Sequence, residues 1–168
     1  MKKLLRVAVA SALMIGFFIG CAPKVEIIKW GNTHNPETSI ISVGTDGTKM
    51  IKAWGEGEDA EKAERNAKRN AINAAIFHGF AAGGGSSKVG PIVRESDADT
   101  KNKAFFDEFF KNGGMWVKYV TPKGVPSGKD RLKTDKGYKV AVKVQVSFDA
   151  LRKYLEEKGV ARALDSGF

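Results

Sequence analysis

Residues 50–79, MIKAWGEGEDAEKAERNAKRNAINAAIFHG, constrain the fold more than any other stretch of the chain. Met50, Lys52 and Trp54 alternate with Ile51, Ala53 and Gly55, the period-two pattern of a strand. Gly55-Glu56-Gly57 reads as a tight bend after it. Glu58, Asp59 and Glu61 then fill a first helical turn, where the helix dipole favours acids. Ala60, Ala63, Ala67, Ala71, Ala74 and Phe77 recur at helical spacing, Ile72 and Ile76 broaden the stripe, and Gly79 stands where such a helix stops. Small side chains along the stripe let a helix axis lie close on a sheet. Glu61, Lys62, Glu64, Arg65, Lys68 and Arg69 fall mostly off it and read as a solvated, ion-paired face. Upstream, Asp46-Gly47 between 39–43 and 49–55 marks a hairpin turn, because both residues adopt positive φ cheaply.

The remaining chain fits around this unit. Residues 25–30 read as a first strand, 31–38 as a loop, and 115–121 as a further strand. Tyr138, Val140, Val142, Val144, Val146 and Phe148 alternate with Lys139, Ala141, Lys143, Gln145 and Ser147, as in an antiparallel strand with one buried face. Residues 149–158 read as a short helix with Leu151, Tyr154 and Leu155 inward, and 160–168 as a tail that packs back or frays. Phe105, Phe106, Phe109 and Phe110 share one face of a helix over 100–112. That face is a core element, or a docking surface for a partner. The expected architecture is one α+β domain over 25–168. It has an antiparallel sheet of four to five strands with the long Ala-striped helix and shorter helices on one face.

The N-terminus belongs to something else. Lys2, Lys3 and Arg6 precede an apolar run over 7–19, and the run ends in Phe18-Ile19-Gly20-Cys21. This order resembles a bacterial lipoprotein signal: residues 1–20 are cleaved, Cys21 is acylated, and 21–24 form a short tether. Cys21 is the only cysteine, so it supplies no disulfide and no thiol ligand set. Ala22 in place of an aspartate points to the outer membrane, with the periplasmic or surface side left open. Loss of Lys2, Lys3 and Arg6 takes the formal charge from +9 to +6. For an exported chain, a basic balance points to anionic lipid or wall polymer before nucleic acid, and no nucleic-acid recognition motif is present.

Little in the sequence announces chemistry. His34 and His78 fall in different elements without metal-ligand spacing. Gly83-Gly84-Gly85-Ser86-Ser87-Lys88 and residues 124–129 lack the order of a phosphate loop and read as flexible loops. No nucleophile elbow occurs, although two carboxylates converging from separate elements remain open. No cofactor and no enzyme is implied. The most basic segment is 122–136, read as a connecting loop, and Lys123, Lys129, Arg131 and Lys133 are its candidates for an anionic contact.

Trp54-Gly55-Glu56-Gly57, the alanine stripe, and the strand-helix unit over 140–155 resemble a group of small bacterial envelope lipoproteins. The N-terminal domain of flagellar assembly protein T is similar. The whole chain through Leu164-Asp165-Ser166-Gly167-Phe168 also looks like a lipoprotein type of Gram-negative bacteria. The resemblance implies a non-catalytic accessory or assembly subunit of an envelope complex, anchored to membrane through its N-terminal lipid. A binding module for an anionic polymer is the alternative. The segment 80–103 is an insertion relative to that group, and only Cys21 carries over as a functional residue.

Overall fold

A computed structural model describes residues 27–163 of the chain. Residues 1–26, with the expected signal over 1–20, Cys21 and the expected tether over 21–24, lie outside the described residues, as does 164–168. The fold is α+β, one compact region in which four helices accompany a curled antiparallel sheet of five strands. A hairpin, β1 (Thr38–Val43) and β2 (Lys49–Gly57), turns at Gly47 with φ +76°. β2 pairs along its length with β5 (Gly137–Val146), in register from Lys49 opposite Val146 to Gly57 opposite Tyr138. Two short strands share the far side of β5: β3 (Val120–Pro122) opposite 144–146, and β4 (Arg131–Thr134) opposite 137–140.

Helix α1 (Ala60–Asn73) lies across the inner face of β2 and β5. Asp59 caps it, its Oδ1 accepting from Lys62 N–H at 2.7 Å. Ala63, Ala67 and Ala71 are buried against Ile51, Ala53 and the valines of β5. The triplet at 55–57 is not a bend, because β2 runs straight through it to Gly57. Its glycines serve close approach instead. A Cβ on Gly55 would stand 2.7 Å from Ala67 Cα, and one on Gly57 would stand 2.8 Å from the Lys62 carbonyl carbon. Alanines on the helix and glycines on the strand together bring two backbones into contact.

Helix α1 continues as a π turn, Ala74–His78, and ends at Gly79 with φ +71°. The wider turn leaves the carbonyls of Ala75 and Ile76 to accept from Ile92 and Val93 N–H at 3.0 and 2.9 Å. The segment 80–103 is therefore stitched to the helix end, and Ile92 and Val93 are buried. Its glycines pack on the bulge in β1 near Ile41, with Gly83 and Ser86 bridged, so the segment is built in.

Helices α2 (Ala98–Lys101), α3 (Lys103–Phe110) and α4 (Phe148–Glu157) close the core. Phe106, Phe109 and Phe110 are buried, and Phe105 is half-buried against Phe109 and Tyr154. These phenylalanines are core, and the docking-face reading of them ends there. Val160 and Ala161 pack back onto this core.

Three local readings are corrected. Described residues 27–30 make no strand; Trp30 instead pins the segment, tilted against Phe106 at 5.4 Å and stacked on Phe110 at 5.9 Å. Met115–Tyr119 is a 3-10 helix, because Trp116 turns inward to bond the Lys111 carbonyl, and only Val120–Pro122 is strand. The connecting loop holds β4, missed because all four of its residues are exposed and show no alternation.

Candidate functional site

β1 is shorter than β2, and this difference opens a cleft at the end of β2. Strand pairing ends where Thr38 faces Ala53. One more bond, Trp54 N–H to the Glu37 carbonyl at 3.0 Å, closes the ladder. Beyond it, residues 54–57 have β5 on one side and no strand on the other. The chain before β1 swings away over α1. Between it, the strand end and the helix opens a cleft of about 550 Å³ whose walls include Lys29, Glu37, Trp54, Glu56, Lys62 and Lys139.

Three asparagines on α1 organise this cleft. At 66, 70 and 73 they are spaced by four and three, one helical row. Asn66 donates to the Glu56 carbonyl and Asn70 to the Trp54 carbonyl, both at 2.8 Å, so side-chain amides take the acceptors a partner strand would use. Asn70 Oδ1 receives His34 Nε2 at 2.9 Å; since the amide nitrogen is already donating, the His34 proton sits on Nε2. Asn73 is fully buried. Its Oδ1 accepts from Gly31 N–H at 2.7 Å and its Nδ2 donates to the His34 carbonyl at 2.9 Å. His78 Nε2 reaches the same carbonyl at 3.0 Å. The two histidines thus tie loop 31–34 to the helix, and no group of three His, Cys, Asp or Glu suited to a metal occurs among the described residues.

Arg69 departs from the solvated face assigned to it. It is 2 % exposed, donates to Asn66 Oδ1 and Asn112 Oδ1 at 2.7 Å each, and lies 5.3 Å from the Trp116 ring. The rest of that face is as expected, with Lys62–Glu58, Arg65–Glu61 and Lys68–Glu64 pairs at i,i+4. On the open face of the sheet, Trp54 lies between Lys52 and Lys139, whose Nζ atoms are 5.2 and 5.3 Å from its ring. Lys139 also bonds Glu37 at 2.7 Å, and this carboxylate raises the lysine's pKa. The cleft therefore mixes signs: Lys29, Lys62, Arg69 and Lys139 against Glu37, Glu56 and Glu58.

The sequence candidates for an anionic contact lie elsewhere. Lys123, Lys129, Arg131 and Lys133 are exposed along the opposite edge, on and between β3 and β4. Asp130 among them is committed to Lys52 at 2.8 Å and to the Ser127 hydroxyl at 2.6 Å. These two donors lower its pKa from 3.8 to about 2. A depressed carboxylate stabilises above its unfolded pKa and stops doing so as pH falls through the folded one. The link from the β3–β4 connection to β2 is therefore expected to loosen between about pH 4 and pH 2. An Asp130 carboxyl carbon titration by NMR with a midpoint near 4 would show that the Lys52 and Ser127 contacts do not hold in solution.

What the sequence missed was the cleft, and the asparagine row on α1 was the available signal. Among the described residues no helix is long and apolar enough to cross a membrane. No protein-family model matches the chain, and comparison with curated proteins and with solved structures gives no significant match.

Proposed function

We propose that the protein is a non-catalytic lipoprotein, acylated at Cys21 and held on the outer membrane, that serves as an accessory subunit of an envelope assembly. The observation that carries this reading is the mixed-sign cleft at the free end of β2. Its acids are held by neighbouring cations, Glu37 by Lys139 and Glu58 by Lys62, which suits charge-complementary contact better than proton transfer. Alternating signs around an aromatic fit a polypeptide surface that carries the complementary charges. Ile27 lines the same cleft only six residues after Cys21, so a partner held there is held close to the bilayer. The lipobox and the resemblance to envelope assembly proteins support the same role.

The test is in-cell crosslinking and gentle detergent extraction of the full protein, beside a Glu56→Lys/Lys62→Glu variant. The wild type is expected to recover one stoichiometric envelope protein, and the variant to lose it by at least about tenfold, as loss of matched rim and cleft charges implies. Recovery of no such protein, or equal recovery by the variant, would end this reading. The mass of the mature N-terminal peptide independently reports whether Cys21 is acylated. A second reading, capture of an anionic wall or surface polymer, draws on the exposed Lys123, Lys129, Arg131 and Lys133 at the other edge, which have no ion-pair partner among the described residues.

A further inference from the structure

We propose that the β3–β4 edge of the sheet is a contact surface for anionic phospholipid. β3 and β4 both pair with the side of β5 away from β2, and the loop 123–130 fills the space between them. Lys123 is fixed at the start of this loop, its N–H bonded to the Lys143 carbonyl at 2.8 Å. Between 118 and 136 the chain carries Lys118, Lys123, Lys129, Arg131, Lys133 and Lys136 against two acids, Asp130 and Asp135. Asp130 is already neutralised by Lys52. All six cations are exposed and none has an ion-pair partner among the described residues. On the helices the arrangement is different: Lys62, Lys68, Lys101, Lys103 and Lys111 each pair with an acid three or four residues away. Unpaired cations occur elsewhere too, Lys143 and Lys153 among them, but only on this edge do six follow within nineteen residues of chain.

Apolar side chains decide what meets it. Two of the five exposed large hydrophobics among the described residues lie in the same segment, Val125 at 84 % exposed on the loop tip and Leu132 at 47 %, and a third, Val117, directly precedes it. Gly124, with φ +79°, turns the chain so that Val125 projects ahead of Pro126. A dissolved polyanion has a use for the lysines and none for a projecting valine. The boundary between headgroups and acyl chains takes both, the cations by attraction to phosphate and the valine by leaving water. This reading rests on the composition of the edge and not on acylation of Cys21.

The experiment places an environment-sensitive fluorescent amino acid at position 125 of the full protein, and as control at Asp107 on α3. Each protein is combined with vesicles of phosphatidylcholine alone or of phosphatidylcholine with phosphatidylglycerol. The expected result is a blue shift and quenching by nitroxide-labelled lipid at 125 only, only on the anionic vesicles. Both are lost at high salt and in a Lys123→Ser/Lys129→Ser/Arg131→Ser/Lys133→Ser variant whose circular dichroism is unchanged. A probe at 125 that stays in water on anionic vesicles overturns the proposal, as does a shift that is the same on neutral vesicles or survives the four substitutions. Cosedimentation with soluble polyglutamate in the absence of any vesicle effect would overturn it in favour of polymer binding. An unacylated preparation is simply mixed with the vesicles and read the same way, so failure of anchoring is not mistaken for failure of the edge.

Discussion

Gly55→Ala is expected to lower the stability of the fold by about 3 kcal/mol, the upper end for a single added methyl in a packed interior. The reason is the identity of the atoms it meets. They are the backbone of Ala63 and Ala67, with Ala67 Cα at 2.7 Å, and a helix backbone has no rotamer through which to retreat. The whole of α1 must lift from β2, and the apolar contact along Ala63, Ala67 and Ala71 loosens with it. Gly85→Ala is the matched control, since Gly85 has φ +77° but nothing within 4 Å of its added Cβ. It should show only the cost of a left-handed alanine, about 1 kcal/mol. Urea denaturation of both variants measures the difference. Equal midpoints would mean that the glycines of β2 are not there to admit the helix.

Asn73→Ala is expected to cost a comparable amount, about 3 kcal/mol, by a different route. The amide is fully buried and joins two backbone groups forty residues away in sequence. The His34 carbonyl keeps His78 as a donor after the substitution, but Gly31 N–H is left buried without an acceptor. Asn73→Asp restores that acceptor while burying a charge and losing the donor to His34, so it is expected to be no better at neutral pH. The signature separates this variant from Gly55→Ala. Hydrogen exchange should quicken first at 31–37, where the loop is released, before the sheet is affected. Because that loop is one wall of the cleft, partner recovery should fall in the same variant. A uniform change in exchange across sheet and loop would contradict the assignment of Asn73 as a local tie.

The elements that the sequence made legible are those whose periodicity records a single buried face. The valines of β5 are all inward, and the alanine row of α1 lies where its spacing put it. Exposed or short elements left no such record. Arg131, Leu132, Lys133 and Thr134 pair with β5 while every side chain stays in water, so no alternation marks them. Met115 to Tyr119 looked like strand because its residue types are strand formers, yet Trp116 needed a partner for its indole N–H and found one through a helical turn. Gly55 and Gly57 read as a bend in the sequence because turn and close approach call for the same residue. The cleft was illegible for a further reason: it exists because β1 stops pairing at Thr38, and pairing register is a property of two segments together. Arg69 illustrates the same limit. Its helical position suggested solvent, and only the arrival of Trp116 and Asn112 from elsewhere buries it.

The two amides that cover the end of β2 also bear on what can add to it. A strand end with open acceptors is a template for another chain, and it becomes dangerous when molecules are crowded. By donating Asn66 and Asn70 to the Glu56 and Trp54 carbonyls, the helix takes up two acceptors through which a second strand would add at this point. A chain arriving at this end of β2 therefore meets side-chain amides rather than a bare ladder.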